Sequence, residues 1–289
     1  MVPGDRVLMM RPSFAEYAQQ CRIAGASIDF MDLMPEDDFR IDSERLSQMV
    51  RDNHYKAVYI CNPNNPTGRI EKREKVLDIV KECEDLGTMV FLDETLLGLS
   101  PEAASTSLTK YVGKFSNLLI ADSLTKSFAI PGMRIGFGLS SPEIISELEK
   151  VQLPWNLGTL EQAVAAYLME YRMDYPDVVA RELRAGSAYM HSRLDDIGFP
   201  VGPLSDSFFY FVSVEDLGLT GEEMKRLMLK GSVMIRDCAS FGGGCSSVGG
   251  CDPIENHKTI TLTMEDDTEV ECAILTVFPV DAKEYIALL

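Results

Sequence analysis

Through the first half of the chain, short apolar runs alternate with longer stretches whose apolar positions recur at helical spacing. The runs RVLMM (6–10), SIDFM (27–31), AVYIC (57–61), MVFLD (89–93), NLLIA (117–121) and RIGFG (134–138) predict strands. Amphipathic segments fall between them. In EKREKVLDIVKECEDLG (71–87), Val76, Ile79, Val80 and Cys83 form one apolar face and Gly87 marks the stop. Strands alternating with helices predict an α/β class with a largely parallel sheet. From about Thr159 the texture changes to a long helical stretch broken near Pro176, then to the apolar run FFYFVSV (208–214), a helix near 221–231 and a hairpin of KTITLTM with VECAILTVF. No internal repeat is visible.

Composition narrows the class. With 46% hydrophobic and 25% charged residues in 289, the chain reads as a globular protein with a sizeable core. It has no apolar run of membrane-spanning length and no basic-then-apolar start, so a cytoplasmic location is expected and a membrane partner is not. Twenty-seven basic against forty-five acidic residues give a formal charge of −18, which argues against nucleic acid while leaving room for a small anionic ligand in a local cationic pocket. The seven cysteines include no CxxC pair. Cys238, Cys245 and Cys251 with His257 match no familiar metal frame, and free thiols are expected there, with no metal.

Three segments carry candidate chemistry. In ADSLTKSFAIPGMRIGF (121–137), Lys126 lies in a Ser/Thr/Gly/Pro loop at a strand end, where α/β proteins place ligands. It reads either as a solvated loop lysine or as an amine held for imine chemistry. CNPNNPTGR (61–69) follows a strand, and its prolines and asparagines fix a tight path presenting amides at the strand's carboxyl end; a plain turn is the alternative. Asp93 ends the strand of FLDETLLG and reads either as a helix cap or as a site carboxylate. Asparagine, aspartate, lysine and arginine at successive strand ends have a common use in holding pyridoxal phosphate (PLP).

The order RPSF, NPNNPTG, LDE, SLTKSFAIPGMRIGF resembles the fold-type I, class I/II aminotransferase family, over residues 1 to about 243. The lysine stretch, PWNLGTLEQAVAAYL (154–168) and VMIRDCASFGG (233–243) look most like its threonine-phosphate decarboxylase and histidinol-phosphate aminotransferase branch. The resemblance implies an aspartate aminotransferase-like fold: a PLP-binding large domain (1–160) with a mostly parallel sheet, then a connecting helix and a smaller C-terminal α+β domain (161–289). It implies that Lys126 forms the imine with PLP, Asp93 pairs with the pyridine nitrogen, and Asn65 contacts the phenolic oxygen or the substrate. Ser123 and Arg134 take the cofactor phosphate, Phe14 stacks on the ring and Arg236 meets an anionic amino-acid substrate. A homodimer is implied as well.

The implied reaction is decarboxylation of O-phospho-L-threonine to aminopropanol phosphate, in cobalamin synthesis. The alternatives are a histidinol-phosphate-type transamination and a truncated scaffold without activity. Three departures from the family bear on these. Several dozen residues that precede PGDRV in the family, including a phosphate-binding loop, are expected to be missing. Leu96 stands where a tyrosine is common, and KTITLTM lacks the family's carboxylate-binding arginine, beside a glycine- and cysteine-rich segment at 242–257.

Overall fold

A computed structural model describes residues 1–238, 259–263, 269–280 and 283–288. The chain divides into two compact units, Met1–Gly243 and Gly244–Leu289, and position 160 lies within the first. In chain order the first unit contains β1 (Arg6–Arg11), α1 (Ala15–Ile23), β2 (Ser27–Asp32), α2 (Ser43–Asn53), β3 (Ala57–Cys61), α3 (Arg73–Asp85), β4 (Met89–Asp93), α4 (Ala103–Thr106) and β5 (Leu118–Ser123). There follow α5 (Leu124–Ser127), β6 (Gly136–Ser140), α6 (Pro142–Val151), α7 (Thr159–Tyr171), α8 (Tyr175–Asp196) and α9 (Gly221–Lys230). The second unit contains a three-stranded antiparallel sheet of β7 (Thr259–Thr263), β8 (Glu269–Val280) and β9 (Lys283–Leu288), which includes the expected hairpin.

The six-stranded sheet has the order β2-β1-β3-β4-β5-β6, parallel except for β6 against β5. Alternation along each strand sends side chains to two faces. On one face Leu8, Val58, Ile60, Val90, Leu92, Leu118 and Ile120 form a core with Leu46 and Val50 of α2 and Val76, Ile79, Val80 and Cys83 of α3. The other face packs Val7, Met9 and Ala57 against Ala18 and Cys21 of α1. Burying one such leucine stabilises the fold by roughly 1.5–3 kcal/mol, so the two cores fix the sheet that carries the site.

Local chemistry sets the boundaries. Asp42 caps α2 by accepting from the Arg45 amide at 3.1 Å. Ser141 caps α6 with Pro142 in its first turn, and Thr220 and Glu223 form a reciprocal capping box on α9. The long helical stretch is indeed split, because Pro176 begins α8 rather than continuing α7. Two expectations shift. Lys126 lies on the one-turn helix α5, which starts as soon as β5 ends, rather than in a loop. Arg134 precedes β6, which runs two residues later than predicted at each end.

Candidate active site

The chain reverses its direction of travel across the sheet between β1 and β3, which makes the crevice at their carboxyl ends the expected ligand position in an open α/β sheet. Phe14 follows β1 there and Asn65 follows β3. Asp93 ends β4 and Ser123 ends β5, with Lys126 one turn further on.

Phe14 and Tyr17 lie one turn apart at the start of α1, with rings edge to face at 5.4 Å. The Tyr17 hydroxyl donates to Asp93 Oδ2, while Asp93 Oδ1 accepts from the Thr95 amide at 2.9 Å. Asp93 therefore caps its own turn and also faces α1. Burial raises the Tyr17 hydroxyl well above its usual pKa, reinforced by Cys61 and Asp93, so it stays a donor. Cys61 pairs in register with Asp93, and burial pushes its thiol up to about 12, keeping it neutral beside the carboxylate. Tyr17 is a site residue that the sequence reading missed; the spacing FxxY places it on the face of Phe14. Tyr17→Phe is expected to cost about 1–2 kcal/mol, because a half-buried carboxylate oxygen loses its donor. Urea unfolding of the two proteins checks this.

The three asparagines of NPNN divide by role. Asn62 exchanges two hydrogen bonds with the Glu71 backbone, at 2.8 and 3.1 Å. Asn64 donates to the Pro12 carbonyl and the Thr67 hydroxyl and accepts from the Ser13 hydroxyl at 3.0 Å, tying the β3 loop to the β1 loop. The half-buried Asn65 side chain has no hydrogen-bond partner among the described residues. The asparagine predicted to meet a ligand is thus the one the protein leaves unused.

Ser123 caps α5. Its hydroxyl accepts from the Thr125 amide at 3.2 Å and donates to the Ile135 carbonyl at 3.1 Å, which draws the turn of Arg134 towards β5. Arg134 is exposed and donates to the Pro131 carbonyl at 3.1 Å, and Lys126 is exposed on α5. Arg236 is exposed on the segment after α9, where its carbonyl accepts from the Cys238 thiol at 3.7 Å. The contacts given above join Phe14, Asp93, Ser123 and the Asn65 loop to one end of the sheet; Arg236 takes no part in them. Cys245, Cys251 and His257 lie outside the described residues.

Two further carboxylates stand at this end. Glu94 is buried and accepts from the Ser107 hydroxyl at 2.6 Å and the Leu108 amide at 2.8 Å, fixing the segment after α4; burial raises its pKa. Asp122 accepts from the Ser123 amide at 2.6 Å, and burial, with Glu94 and Asp93 nearby, lifts it to about 7. Neither was anticipated as more than part of a strand end.

The donor set matches a phosphorylated pyridine aldehyde: a carboxylate fixed by two donors, an unused amide, an amine one turn past a strand end, and an exposed guanidinium. The chain belongs to the aminotransferase class I and II family, whose model matches residues 1–249. It is 29% identical over 241 residues to histidinol-phosphate aminotransferase of Methanopyrus kandleri, covering 83% of this chain and 59% of that protein. It is 27% identical over 234 residues to a Caldanaerobacter subterraneus protein named "Putative threonine-phosphate decarboxylase", covering 81% and 62%. The structure is similar to that of histidinol-phosphate aminotransferase from Clostridium acetobutylicum, with TM-score 0.73 and 26% identity, covering 83% of this chain and 70% of that one. The chain thus spans about 59% of the length of its Methanopyrus relative. The fold is aspartate aminotransferase-like, and the cofactor of this family is PLP.

Proposed function

We propose that this chain is the PLP-binding part of an enzyme that acts at the amino-bearing carbon of a phosphorylated amino acid or amine. The observation that carries the reading is that Asn65, Asp93 and Lys126 follow or end the adjacent parallel strands β3, β4 and β5 at their carboxyl ends, with Asp93 held by two donors and Asn65 unused. Bound PLP supplies an electron-accepting ring to which the substrate nitrogen is joined. Asp93 would hold the proton on the ring nitrogen, with Tyr17 orienting the carboxylate. Phe14 would cover one ring face and Asn65 would donate to the phenolic oxygen. Arg134 and the Ser123 hydroxyl would take the phosphate. Lys126 Nζ would bind the aldehyde carbon and then move the proton at the substrate Cα. Arg236 would meet the substrate's anionic group.

Transamination of a histidinol-phosphate-like substrate is the first reading, supported by the Methanopyrus and Clostridium relatives. Decarboxylation of O-phospho-L-threonine is the second, favoured by Leu96 in place of a tyrosine and by the Caldanaerobacter relative. The chain with added PLP is expected to move the amino group of histidinol phosphate onto 2-oxoglutarate, giving glutamate and the ketone derived from histidinol phosphate. Carbon dioxide release from phospho-threonine without that transfer would select the second reading, and neither reaction would refute both.

We also propose a homodimer. Val151, Leu153, Trp155 and Leu160, between the end of α6 and the start of α7, are 75%, 77%, 96% and 64% exposed, an apolar stretch of the kind that subunit contacts cover. A monomer mass by light scattering at micromolar concentration would overturn this.

A further inference from the structure

The loop that carries Asn65 is held from two sides. Within the loop, the Asn64 amide donates to the Arg69 carbonyl and the Gly68 amide to the Asn64 carbonyl, both at 2.8 Å, closing a ring around residues 65–67. The outer side of that ring is bound by a segment far away in sequence, residues 204–206. Asp206 Oδ2 accepts from Arg40 Nη2 at 2.6 Å and from the Ile70 amide at 3.0 Å. Arg69, 7% exposed, donates to the Leu204 carbonyl at 2.9 Å and to Asp38 Oδ1 at 2.5 Å. Gly68 has φ +72°, and a Cβ there would come within 2.2 Å of Ser205 Oγ, so only glycine allows the two segments to touch. The Ser205 carbonyl in turn accepts from Arg184 of α8 at 2.7 Å.

We propose that Asp206 is a positioning residue for the cofactor site: with Arg40 and Arg69 it latches residues 204–206 onto residues 68–70 and so sets the position of the Asn65 amide. The proposal rests on the reading that Asn65 faces bound PLP. Its physical basis is the number of fixed points. Asn62 and Asn64 anchor the loop towards β3 and β1, and the return limb at 68–70 is held by Asp206, Leu204 and Ser205 together with Asp38 and with Arg40, which bridges Asp206 and, at 2.5 Å, the Ile70 carbonyl. A displacement of 204–206, which Arg184 ties to α8, is passed to the loop through charge-assisted bonds with a fixed direction. The Arg40–Asp206 pair is about one third exposed on each side, so the latch is open to competition by salt.

The test compares wild type, Asp206→Asn and Asp206→Glu by amide hydrogen exchange over residues 62–70 and by PLP titration. In Asp206→Asn, exchange in this segment is expected to quicken about tenfold and the PLP dissociation constant to rise about tenfold, the size of one lost charge-assisted bond. Asp206→Glu restores most of both. Arg40→Gln breaks the same pair from the other side together with Arg40's bond to the Ile70 carbonyl, so it removes the whole Arg40 limb of the latch, and it serves if Asp206→Asn does not fold. Unchanged exchange in the variants would overturn the latch. Faster exchange with unchanged PLP affinity would overturn the positioning role and leave a purely structural contact. Wild type that binds no PLP would refute the cofactor reading and, with it, the positioning role, whatever the exchange shows.

Discussion

Replacing Lys126 by alanine is expected to remove covalent attachment of PLP and to lower turnover by about 10²–10⁴-fold, the usual range for losing a positioned proton-transfer group. Borohydride treatment with PLP should add one pyridoxyl group to the wild-type chain, on the peptide that contains Lys126, and none at that peptide in Lys126→Ala. The expectation follows from place rather than residue type. The chain has several exposed lysines, but Lys126 is the one on the first turn beyond β5, three residues past the Ser123 cap and beside the strand end that carries Asp93. Modification spread over many surface lysines in both proteins would sink the assignment. Modification at Lys126 without turnover of any phosphorylated amine would keep the cofactor site and discard the proposed substrates.

Much of this site was legible because strand ends are local events. Each of the six sheet strands of the first unit was expected as a short run, and the residues that follow a strand are fixed by chain continuity, so Asp93, Lys126 and the NPNN turn could be put at strand ends from the pattern alone, whereas Phe14 and Ser123 entered only through the family resemblance. Contacts that depend on which face a side chain takes were harder. Asp93 and Glu94 are adjacent in sequence yet point to opposite sides of the sheet: one meets Tyr17, the other is consumed in holding Ser107 and Leu108. Asn64 and Asn65 are likewise adjacent, and only the packing of Pro12 and Ser13 shows which is structural. The attachment of residues 204–206 had no local signal, since it joins segments over 130 positions apart. Even Gly68 gave no more than a turn.

Asp122→Asn is expected to stabilise the protein at pH 8 by about 1–3 kcal/mol, and to lose that advantage as the pH falls towards 5. Asp122 sits on β5 close to Glu94, just past the end of β4, and to Asp93, and its register partner on β6 is the uncharged Phe137. Burial, then the two acidic neighbours, lifts its pKa to about 7, against about 3.9 in an unfolded chain. Between those values the folded protein keeps a proton that the unfolded chain has released. Stability from this group therefore falls as pH rises through the window, and the cost is complete above pH 7. Asparagine cannot ionise and escapes the cost, while its amide oxygen still accepts from the Ser123 amide. Full linkage over the shift would exceed the range given; partial contact with solvent reduces it. Urea unfolding of both proteins at pH 5, 6, 7 and 8 measures the difference directly. A difference independent of pH would mean that Asp122 does not titrate in this range, and a less stable Asp122→Asn at pH 8 would mean that a cation in the folded protein pairs with the carboxylate. The expected outcome would show that this end of the sheet holds negative charge at a cost in stability, beside the carboxylate proposed to keep a ring nitrogen protonated.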